Sequence, residues 1–433
     1  MKFDILHLSS TNIFHIAIPK GFYYPVKIIM DVSKKYDLVI IGAGGLLLSI
    51  LLGRKGLRIA LLEKNREMTT PLRGELIQPG GLKILEGIGL LGRLLALDSH
   101  QNQSVHFYQA EGDKLCTMDY QRLLPPYNYS LILLPKIIQD LFLKEATALP
   151  NVEMIRGATF QSVSKGAITY AQDGAQKEIY APIVVGADGA FSPLRKALSI
   201  PYDLHHYQDG YLTALLPRPE NFDDALYYLG KGKILGLFPI SKQALYLFYM
   251  VQKDQITALR ATPISVFKQQ LCHIHKALET PLQNLTRWEE TDFSPCLRVR
   301  CSRWVSDGAV LMGDAAHAMN PHVAQGRNAA MEDAVVLSNV LLDCFQKGDF
   351  SQKVLSEYEA VRRPSVTILQ QLGDEMTFFW NSGFTPIVWA RNQSFKALHT
   401  NKKLHDKMVR MIAGLQISPM TLWDRVQMTN LLR

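Results

Sequence analysis

The sequence predicts an α/β protein in which a parallel sheet is interleaved with a mixed-sheet lobe and followed by a C-terminal helical segment. Three separate stretches carry this prediction, at residues 36–63, 183–198 and 308–333. Each contains a short apolar run that ends in glycine or an acidic residue, as expected for parallel strands covered on both faces. At 433 residues the chain can form a large core and two joined lobes.

The first stretch, YDLVIIGAGGLLLSILLGRKGLRIALLE, has the pattern of one β-α-β unit. LVII is the first strand, GAGG the turn, residues 46–55 the helix and RIALLE the second strand. Gly42 permits the tight turn, and Gly44 lets the backbone approach a pyrophosphate at the helix N-terminus. Glu63 follows Gly42 by about 20 residues, where a carboxylate can bind ribose hydroxyls. The unit therefore predicts a dinucleotide site.

One position departs from the G-x-G-x-x-G pattern. The third glycine, which lets helix and strand pack closely, is replaced by Leu47. We expect this leucine to cost about 1–3 kcal/mol in overpacking unless the helix moves outward. A strand-turn-helix that binds no nucleotide therefore remains an alternative for this stretch.

The third stretch, GAVLMGDAAHAMNPHVAQGRNAAMED, presents one carboxylate at the end of a strand. AVLM is the strand, Gly313-Asp314 ends it, and a turn at Gln325-Gly326 opens a helix. Asp314 can accept hydrogen bonds from a polyol chain, and backbone N–H groups near Gly326 can face a developing anion.

The second stretch, IVVGADGAFSPLRKAL, repeats the strand-to-helix pattern. Asp188 and Gly189 follow the strand, and Ser192 can cap the next helix. In their order along the chain, the three stretches closely resemble the single-component FAD-dependent aromatic hydroxylases, the p-hydroxybenzoate-hydroxylase-like group. The segment PLRGELIQPGGLKILEGIGL is especially similar to the ubiquinone-pathway hydroxylases and squalene epoxidases. The resemblance runs from about Tyr36 to Pro364 and implies a Rossmann-like FAD-binding domain.

The resemblance also implies which residues hold FAD, although it assigns no catalytic residue and no metal. Lysine stands where the family usually has an arginine in LLPKIIQDL, so the bidentate fork is lost. Alanine stands at position 324, where glycine is usual. The implied cofactor-binding residues are Gly42, Gly44, Gly45, Glu63 and Lys64 for the ADP half, Arg73, Lys136 and Gln139 beside the flavin nucleotide, Asp188 and Gly189 near the pyrophosphate and a visiting nicotinamide, Asp314 at the ribityl chain, and Pro321, Gly326, Arg327 and Asn328 around the ring.

Three of these interpretations have alternatives. Arg73 could be a surface helix cap, and Gln139 could be a solvated helix residue. His317 could act as a general base, but a helix-start or packing role is favoured.

The implied activity is an FAD-dependent monooxygenase that uses NAD(P)H and O₂ to hydroxylate or epoxidise an aromatic or polyprenylated apolar substrate through a flavin C4a-hydroperoxide. Strand-like, aromatic-rich segments at 211–217, 234–240 and 244–251 fit a roof over an apolar pocket. No second G-x-G-x-x-G appears, so no separate nicotinamide domain is expected. The alternatives are an FAD-dependent polyprenyl reductase and a degenerate flavoprotein that serves as a binding module, for which Leu47 and Lys136 argue.

The net charge of +8 is scattered rather than clustered, so nucleic acid is not an expected partner. Five cysteines without a CxxC pair fit a reducing, cytoplasmic setting without structural zinc. The segment Cys272-His273-Ile274-His275 resembles part of a metal site, but a structural role is favoured. The first thirty residues lack a signal-peptide pattern, and residues 1–29, before Met30, are expected to be dispensable. No stretch reaches the ~18–20 apolar residues of a membrane span.

The basic helical pattern from Trp389 onward has two interpretations. It could contact a membrane surface peripherally, or pack on the protein's own FAD domain with a solvated basic face, which we favour.

The expected organisation is an N-terminal extension at 1–35, FAD-binding parts at 36–110, 136–200 and 301–364, a substrate-lobe insertion at 111–135, a substrate-binding sheet domain at 201–300, and C-terminal helices at 365–433.

Overall fold

The computed structural model describes residues 36–68 and 74–429, together with two short paired strands near the N-terminus. Apart from that strand pair, the predicted extension at 1–35 lies outside the described residues, and so does Arg73. The strands are β1 Phe14–His15, β2 Pro25–Val26, β3 Leu38–Ile41, β4 Ile59–Glu63, β5 Glu75–Ile77, β6 His100–Asn102, β7 Ser104–Gln109, β8 Lys114–Asp119, β9 Ser130–Leu133, β10 Val152–Arg156, β11 Thr159–Ser164, β12 Ala167–Gln172, β13 Ala175–Tyr180, β14 Ile183–Gly186, β15 Tyr202–Pro217, β16 Ala225–Leu229, β17 Ile234–Pro239, β18 Ala244–Gln252, β19 Thr291–Cys301, β20 Val305–Ser306 and β21 Ala309–Leu311.

Helices connect these strands and dominate the C-terminal part of the chain. They are α1 Leu46–Gly53, α2 Pro79–Gly87, α3 Leu91–Leu95, α4 Pro135–Thr147, α5 Pro193–Ala197, α6 Ile256–Arg260, α7 Ile264–Ile274, α8 Asp314–His317, α9 Gly326–Lys347, α10 Gln352–Trp380, α11 Thr385–Thr400, α12 Lys402–Ile412 and α13 Leu422–Met428.

The first sheet has the order β10-β4-β3-β14-β21-β20, and its strands are parallel except where β20 meets β21. Every residue of β3, β4, β14 and β21 is buried, which explains why these strands are continuous apolar runs. The predicted strands LVII, RIALLE, IVV and AVLM are thereby confirmed, and the Rossmann-like fold class is confirmed with them.

Helix α1 approaches strand β3 closely at Gly45. An added Cβ at Gly45 would lie 2.2 Å from Ile40 Cγ2, far inside van der Waals contact. The close helix–strand approach expected at the third glycine of the fingerprint is therefore made two positions earlier, at Gly45. Leu47 does not make this contact. The prediction that Leu47 overpacks the helix against the strand is therefore wrong.

The second large sheet is mixed, with the order β19-β15-β18-β17-β16-β7-β8 and one parallel pair, β16 with β7. The predicted strands at 211–217, 234–240 and 244–251 are confirmed as parts of β15, β17 and β18. Strands β7 and β8 extend this sheet across the predicted domain boundary at residue 110. Two small sheets, β5-β9-β6 and β11-β12-β13, complete the architecture.

The two faces of the mixed sheet contact different partners. Tyr211 and Phe248 are buried on one face with side chains of the C-terminal helices, whereas Leu212 and Tyr249 are buried on the other with α7. We call the first of these the aromatic face; it consists of Phe107, Tyr211, Tyr227, Phe238, Tyr246 and Phe248.

The C-terminal helices cover the aromatic face. Helix α10 runs through Pro364, so the predicted boundary at 364 falls inside a helix. On α12, Leu404 and Met408 are buried while Lys402 and Lys403 are exposed. The tail packs on its own protein, but its buried side chains lie mainly against the aromatic face of the mixed sheet rather than against the FAD-binding part. Lys402 and Lys403 face outward, whereas Arg391 is buried and donates to Gly230 O and Trp380 O. Within 36–68 and 74–429, no helix has the length and apolarity needed to cross a membrane.

Replacing Gly45 with alanine should destabilise the protein by about 1–3 kcal/mol, because the new methyl group would overlap Ile40. Chemical denaturation measures this change. Gly92→Ala on α3 is the matched control, since nothing lies within 4 Å of its added Cβ, and it should gain about 0.5–1 kcal/mol in helix stability. Equal effects of the two substitutions would contradict the close approach at Gly45.

Candidate functional site

Three loops meet at the carboxyl ends of the parallel strands, which we call one edge of the sheet. In the strand register, Gly186 of β14 pairs with Ile41 of β3 on one side and with Leu311 of β21 on the other. The loops that follow these three residues carry the Gly42 turn, Asp188 and Asp314. In open α/β sheets, ligands bind outside the carboxyl ends of strands, so this edge is the candidate site.

The glycine loop packs tightly on the neighbouring strand end. Added Cβ atoms at Gly42 and Gly44 would lie 2.4 Å and 2.7 Å from the Ala187 carbonyl oxygen. Gly42 also has φ +94°, a conformation that side chains disfavour. These two glycines are therefore required by the approach of the loop to β14.

The carboxylate that ends β4 and the one that follows β14 both accept hydrogen bonds from backbone N–H groups. Glu63 accepts hydrogen bonds from Ala43 N at 3.0 Å and from Asn65 N at 2.9 Å; Lys64 beside it is exposed. Asp188 Oδ2 accepts from Leu194 N at 3.1 Å, while its Oδ1 is buried without a hydrogen-bond partner among the described residues. Burial raises the pKa of Asp188. Gly189 follows with φ +82°.

A cleft of about 160 Å³ lies between the start of α1, α4 and the start of α9. It brings together three predicted residues, Gly44, Gln139 and Arg327. Lys136 is not among them, because it is exposed and its Nζ lies 2.7 Å from Asp140 Oδ2. The remaining lining is Ala43, Leu46, Leu47, Phe142, Ala330 and Met331.

The loop from Pro321 to Gly326 is held in an unusual backbone conformation. Pro321 begins a short 3₁₀ turn, and Ala324 after it is left-handed with φ +50°. Gly326 then opens α9, whose 22 residues direct their N-terminal N–H groups toward this edge. Alanine at 324 carries conformational strain that glycine would avoid.

Arg327 and Asn328 fasten the start of α9 to β5. The Arg327 Nε lies 3.0 Å from Glu75 Oε1. Asn328 Oδ1 accepts from Gln78 N at 3.0 Å, and its Nδ2 donates to Leu76 O at 3.1 Å. The Asn328 amide therefore positions the loop through backbone bonds.

A buried charged cluster lies behind Asp314, which itself is exposed at the start of α8. Asp333 Oδ2 accepts from Gly313 N at 3.0 Å and contacts His317 Nε2 at 2.6 Å, while its Oδ1 accepts from Arg362 Nε at 2.9 Å. Burial alone would raise the pKa of Asp333, but His317 and Arg362 hold it at about 2. His317, also packed against Trp304 at 4.7 Å between ring centroids, has the packing role favoured from the sequence.

A second buried polar chain joins the loop to the aromatic face. The Tyr211 hydroxyl lies 3.1 Å from Nε2 and 3.3 Å from Nδ1 of His322, the residue after Pro321. His322 Nε2 also lies 2.8 Å from Asn381 Oδ1, and the Asn381 amide donates to Asp209. Because Asp209 orients Asn381, the Asn381 oxygen faces His322 Nε2, and the Asn320 oxygen, which accepts from His322 N at 2.9 Å, also contacts Nδ1. Burial lowers the pKa of His322 to about 4, so the ring is neutral at pH 7.

The sequence reasoning missed Asp333, Tyr211, His322 and Asn381. Asp333 had a signal, since an acid on the apolar side of a helical pattern implies a buried partner. His322 stands within the loop motif itself. Tyr211 and Asn381 carry no local signal, because their contact with His322 spans more than 50 residues.

The FAD binding domain family matches residues 35–372 of this chain. The chain belongs to the FAD-dependent monooxygenase family. The 6-methylpretetramide 4-monooxygenase of Streptomyces rimosus is 30% identical over 341 residues, covering 76% of this chain and 80% of that protein. The kynurenine 3-monooxygenase of Salinispora tropica is 26% identical over 78% of this monooxygenase and 79% of that one. Squalene monooxygenase 1,2 of Brassica napus is 24% identical over 79% and 68%.

Solved structures share the monooxygenase fold. PqsL of P. aeruginosa, crystallised with 2-aminobenzoylacetate, superposes with a TM-score of 0.73 at 22% identity, covering 82% of this chain and 99% of PqsL. The p-nitrophenol 4-monooxygenase PnpA of Pseudomonas putida gives 0.73 at 18% identity, covering 88% and 98%. At these identities the likeness concerns the fold alone.

Asp333→Asn should destabilise the monooxygenase by about 3–5 kcal/mol at pH 7, because Arg362 would lose a buried partner. The carboxylate's pKa is lowered on folding, so its stabilisation is present above pH ~4 and is lost as the pH falls toward 2. Denaturation curves at several pH values measure both effects. Asp343→Asn, on the exposed side of the same helix and paired with Lys347, should change stability by less than about 0.5 kcal/mol. A similar loss in both variants would contradict the buried role.

His322 should reduce stability as the pH falls from about 6.5 to 4. The unfolded chain takes up a proton on this histidine below its ordinary pKa, whereas the folded protein does so only near pH 4. The expected loss is about 3 kcal/mol across this window. Comparing wild type with His322→Gln isolates the effect, since other histidines are unchanged. Parallel stability curves for the two proteins would refute it.

Proposed function

We propose that this monooxygenase uses NAD(P)H and O₂ to hydroxylate an aromatic, apolar substrate held between the aromatic face and the loop at 321–326. One observation carries the proposal: the Tyr211 hydroxyl, on the aromatic face, meets His322 beside Pro321. The names of two relatives, 6-methylpretetramide 4-monooxygenase and kynurenine 3-monooxygenase, support hydroxylation. In this reaction one oxygen atom enters the substrate and the other leaves as water, with two electrons from NAD(P)H.

The aromatic face would supply the apolar wall. Tyr211 and Phe248 meet edge to face at 5.2 Å between ring centroids, and Tyr227 and Phe238 at 5.3 Å. Such rings offer flat surfaces for an aromatic substrate and exclude water. Tyr246 packs directly against Gly74, next to strand β5, so this wall reaches the start of α9.

Residues of the loop and of α9 would hold the flavin end of FAD. Asp314 would accept ribityl hydroxyls, and the N–H groups at Gly326 and Arg327 would face negative charge on the ring. Asn328 would keep this loop in place through Leu76 and Gln78. Bound FAD, reduced by NAD(P)H, supplies the activation of O₂.

Tyr211 would position the polar group of the substrate. The Tyr211 hydroxyl lies within hydrogen-bond distance of both His322 ring nitrogens, and its oxygen would accept from a substrate hydroxyl. Asp209 and Asn381 would maintain this orientation.

Oxygen uptake and NAD(P)H oxidation with phenols, quinone precursors and isoprenoids test the proposal. We expect a hydroxylated aromatic product with one O₂ consumed per NAD(P)H. Epoxide formation from an isoprenoid would favour the chemistry in the name of the squalene monooxygenase relative. A saturated polyprenyl product without oxygen uptake would indicate the reductase. A colourless preparation that regains no flavin spectrum with FAD would indicate a binding module.

Peripheral membrane contact would use exposed rings rather than α12, whose apolar side is covered. Phe384 is 65% exposed, Trp389 53% and Trp423 60%. Together with the exposed Lys402 and Lys403, which are nearby in sequence, these rings would offer apolar and basic groups to an anionic bilayer. Salt-sensitive co-sedimentation with anionic vesicles would support this contact. A protein that stays in the supernatant with vesicles at low salt would rule it out.

Tyr211→Phe should lower kcat/KM by about tenfold, because a hydrogen bond of roughly 1–1.5 kcal/mol to the substrate is lost. Steady-state kinetics with the substrate found above measures this, and FAD affinity should stay unchanged. Tyr228→Phe is the matched control: its hydroxyl lies 2.8 Å from His275 Nδ1 on the opposite face of the same sheet. An equal loss in both variants would show that Tyr211 acts only through the fold.

A further inference from the structure

The glycine loop is two residues shorter than the dinucleotide fingerprint requires. In G-x-G-x-x-G the third glycine makes the close helix–strand contact. Here Gly45 makes that contact, 2.2 Å from Ile40 Cγ2 for an added Cβ, and it directly follows Gly44. The two residues that normally separate the second and third glycines are absent from this chain.

The short loop has few N–H groups to offer a phosphate. Gly42 N donates to Leu62 O at 2.8 Å, Ala43 N to Glu63 Oε2 at 3.0 Å, and Gly45 N to Gly42 O at 3.1 Å. A pyrophosphate cradle depends on such groups pointing at the ligand. In this loop three of the four glycine-loop N–H groups serve the protein itself, which leaves Gly44.

Apolar side chains line the space that the missing turn would border. Helix α1 starts directly with Leu46, and both Leu46 and Leu47 line the cleft of about 160 Å³. Leu47 is 3% exposed and shares the lining with Phe142 and Met331. Leucine side chains offer no hydrogen bond to a phosphate oxygen.

The charge of the cleft is also low. Arg327 is the cation among its lining residues, and Glu75 pairs with it at 3.0 Å. The predicted ADP contacts Glu63 and Lys64 do not line the cleft. A pyrophosphate carries two negative charges, so this cleft compensates it poorly.

At the flavin end, by contrast, the groups are in place. The N-terminus of the 22-residue α9 and the exposed Asp314 lie at the same end of the parallel strands. We infer that the protein holds FAD mainly through its isoalloxazine and ribityl part, and that the pyrophosphate and adenosine add little affinity. This inference rests on the proposed function. Its consequence is that riboflavin, which lacks both phosphates, binds nearly as well as FAD.

Fluorescence titration of the flavin-free full-length protein with FAD and riboflavin tests the inference. We expect FAD to bind at most about tenfold more tightly than riboflavin, a difference of about 1.4 kcal/mol. A larger ratio overturns the inference. If neither flavin binds, the proposed function fails instead.

Inserting two alanines between Gly44 and Gly45 restores the G-x-G-x-x-G spacing. This variant should bind FAD at least tenfold more tightly than wild type and leave riboflavin affinity unchanged. Leu47→Ala keeps the loop length and should also tighten FAD binding alone. Leu51→Ala, a half-buried leucine of the same helix that does not line the cleft, should change neither affinity. Weaker FAD binding in Leu47→Ala overturns the inference, even where the insertion fails to fold.

Discussion

The level register of three parallel strands is the constraint on which the site depends. Ile41, Gly186 and Leu311 are hydrogen-bonded neighbours at one sheet edge. Because parallel strands all end on the same side, loops separated by more than 100 residues of sequence meet there. The glycines of the first loop can fit only because their missing side chains leave room for the Ala187 carbonyl. A change of register would separate all three loops at once.

Asp333 transmits this constraint to the helices. One carboxylate binds the backbone before Asp314, the imidazole at the end of α8 and the guanidinium of Arg362 on α10. Such a buried ionic group is costly unless each partner is satisfied. The cluster therefore ties the position of Asp314 to the packing of α9 against α10, behind the candidate site.

The parallel core was predictable because its signal is local. Continuous apolar strands and the glycines that end them follow from burial on both faces, and LVII, IVV and AVLM form strands as predicted. The prediction for Leu47 was wrong because the fingerprint specifies a spacing between glycines. The close contact between helix and strand is instead made by the glycine that lies against Ile40, which is Gly45. The pairing of Tyr211 with His322 could not be predicted, because a contact between a sheet residue and a distant loop leaves no trace in either segment. The separation of Lys136 from the cleft likewise depends on how α4 is rotated.

The covering of the aromatic face by the last helices has a consequence for biosynthesis. Strand β3 cannot complete its sheet until β21 has been made, and the aromatic face is closed only when Leu404 and Met408 arrive. Chains fold from the N-terminus as they are synthesised, and exposed apolar surface invites aggregation. A nearly complete nascent chain therefore displays a broad sheet of tyrosine and phenylalanine rings. Its passage through this stage depends on rapid completion of the C-terminus or on a chaperone that shields those rings.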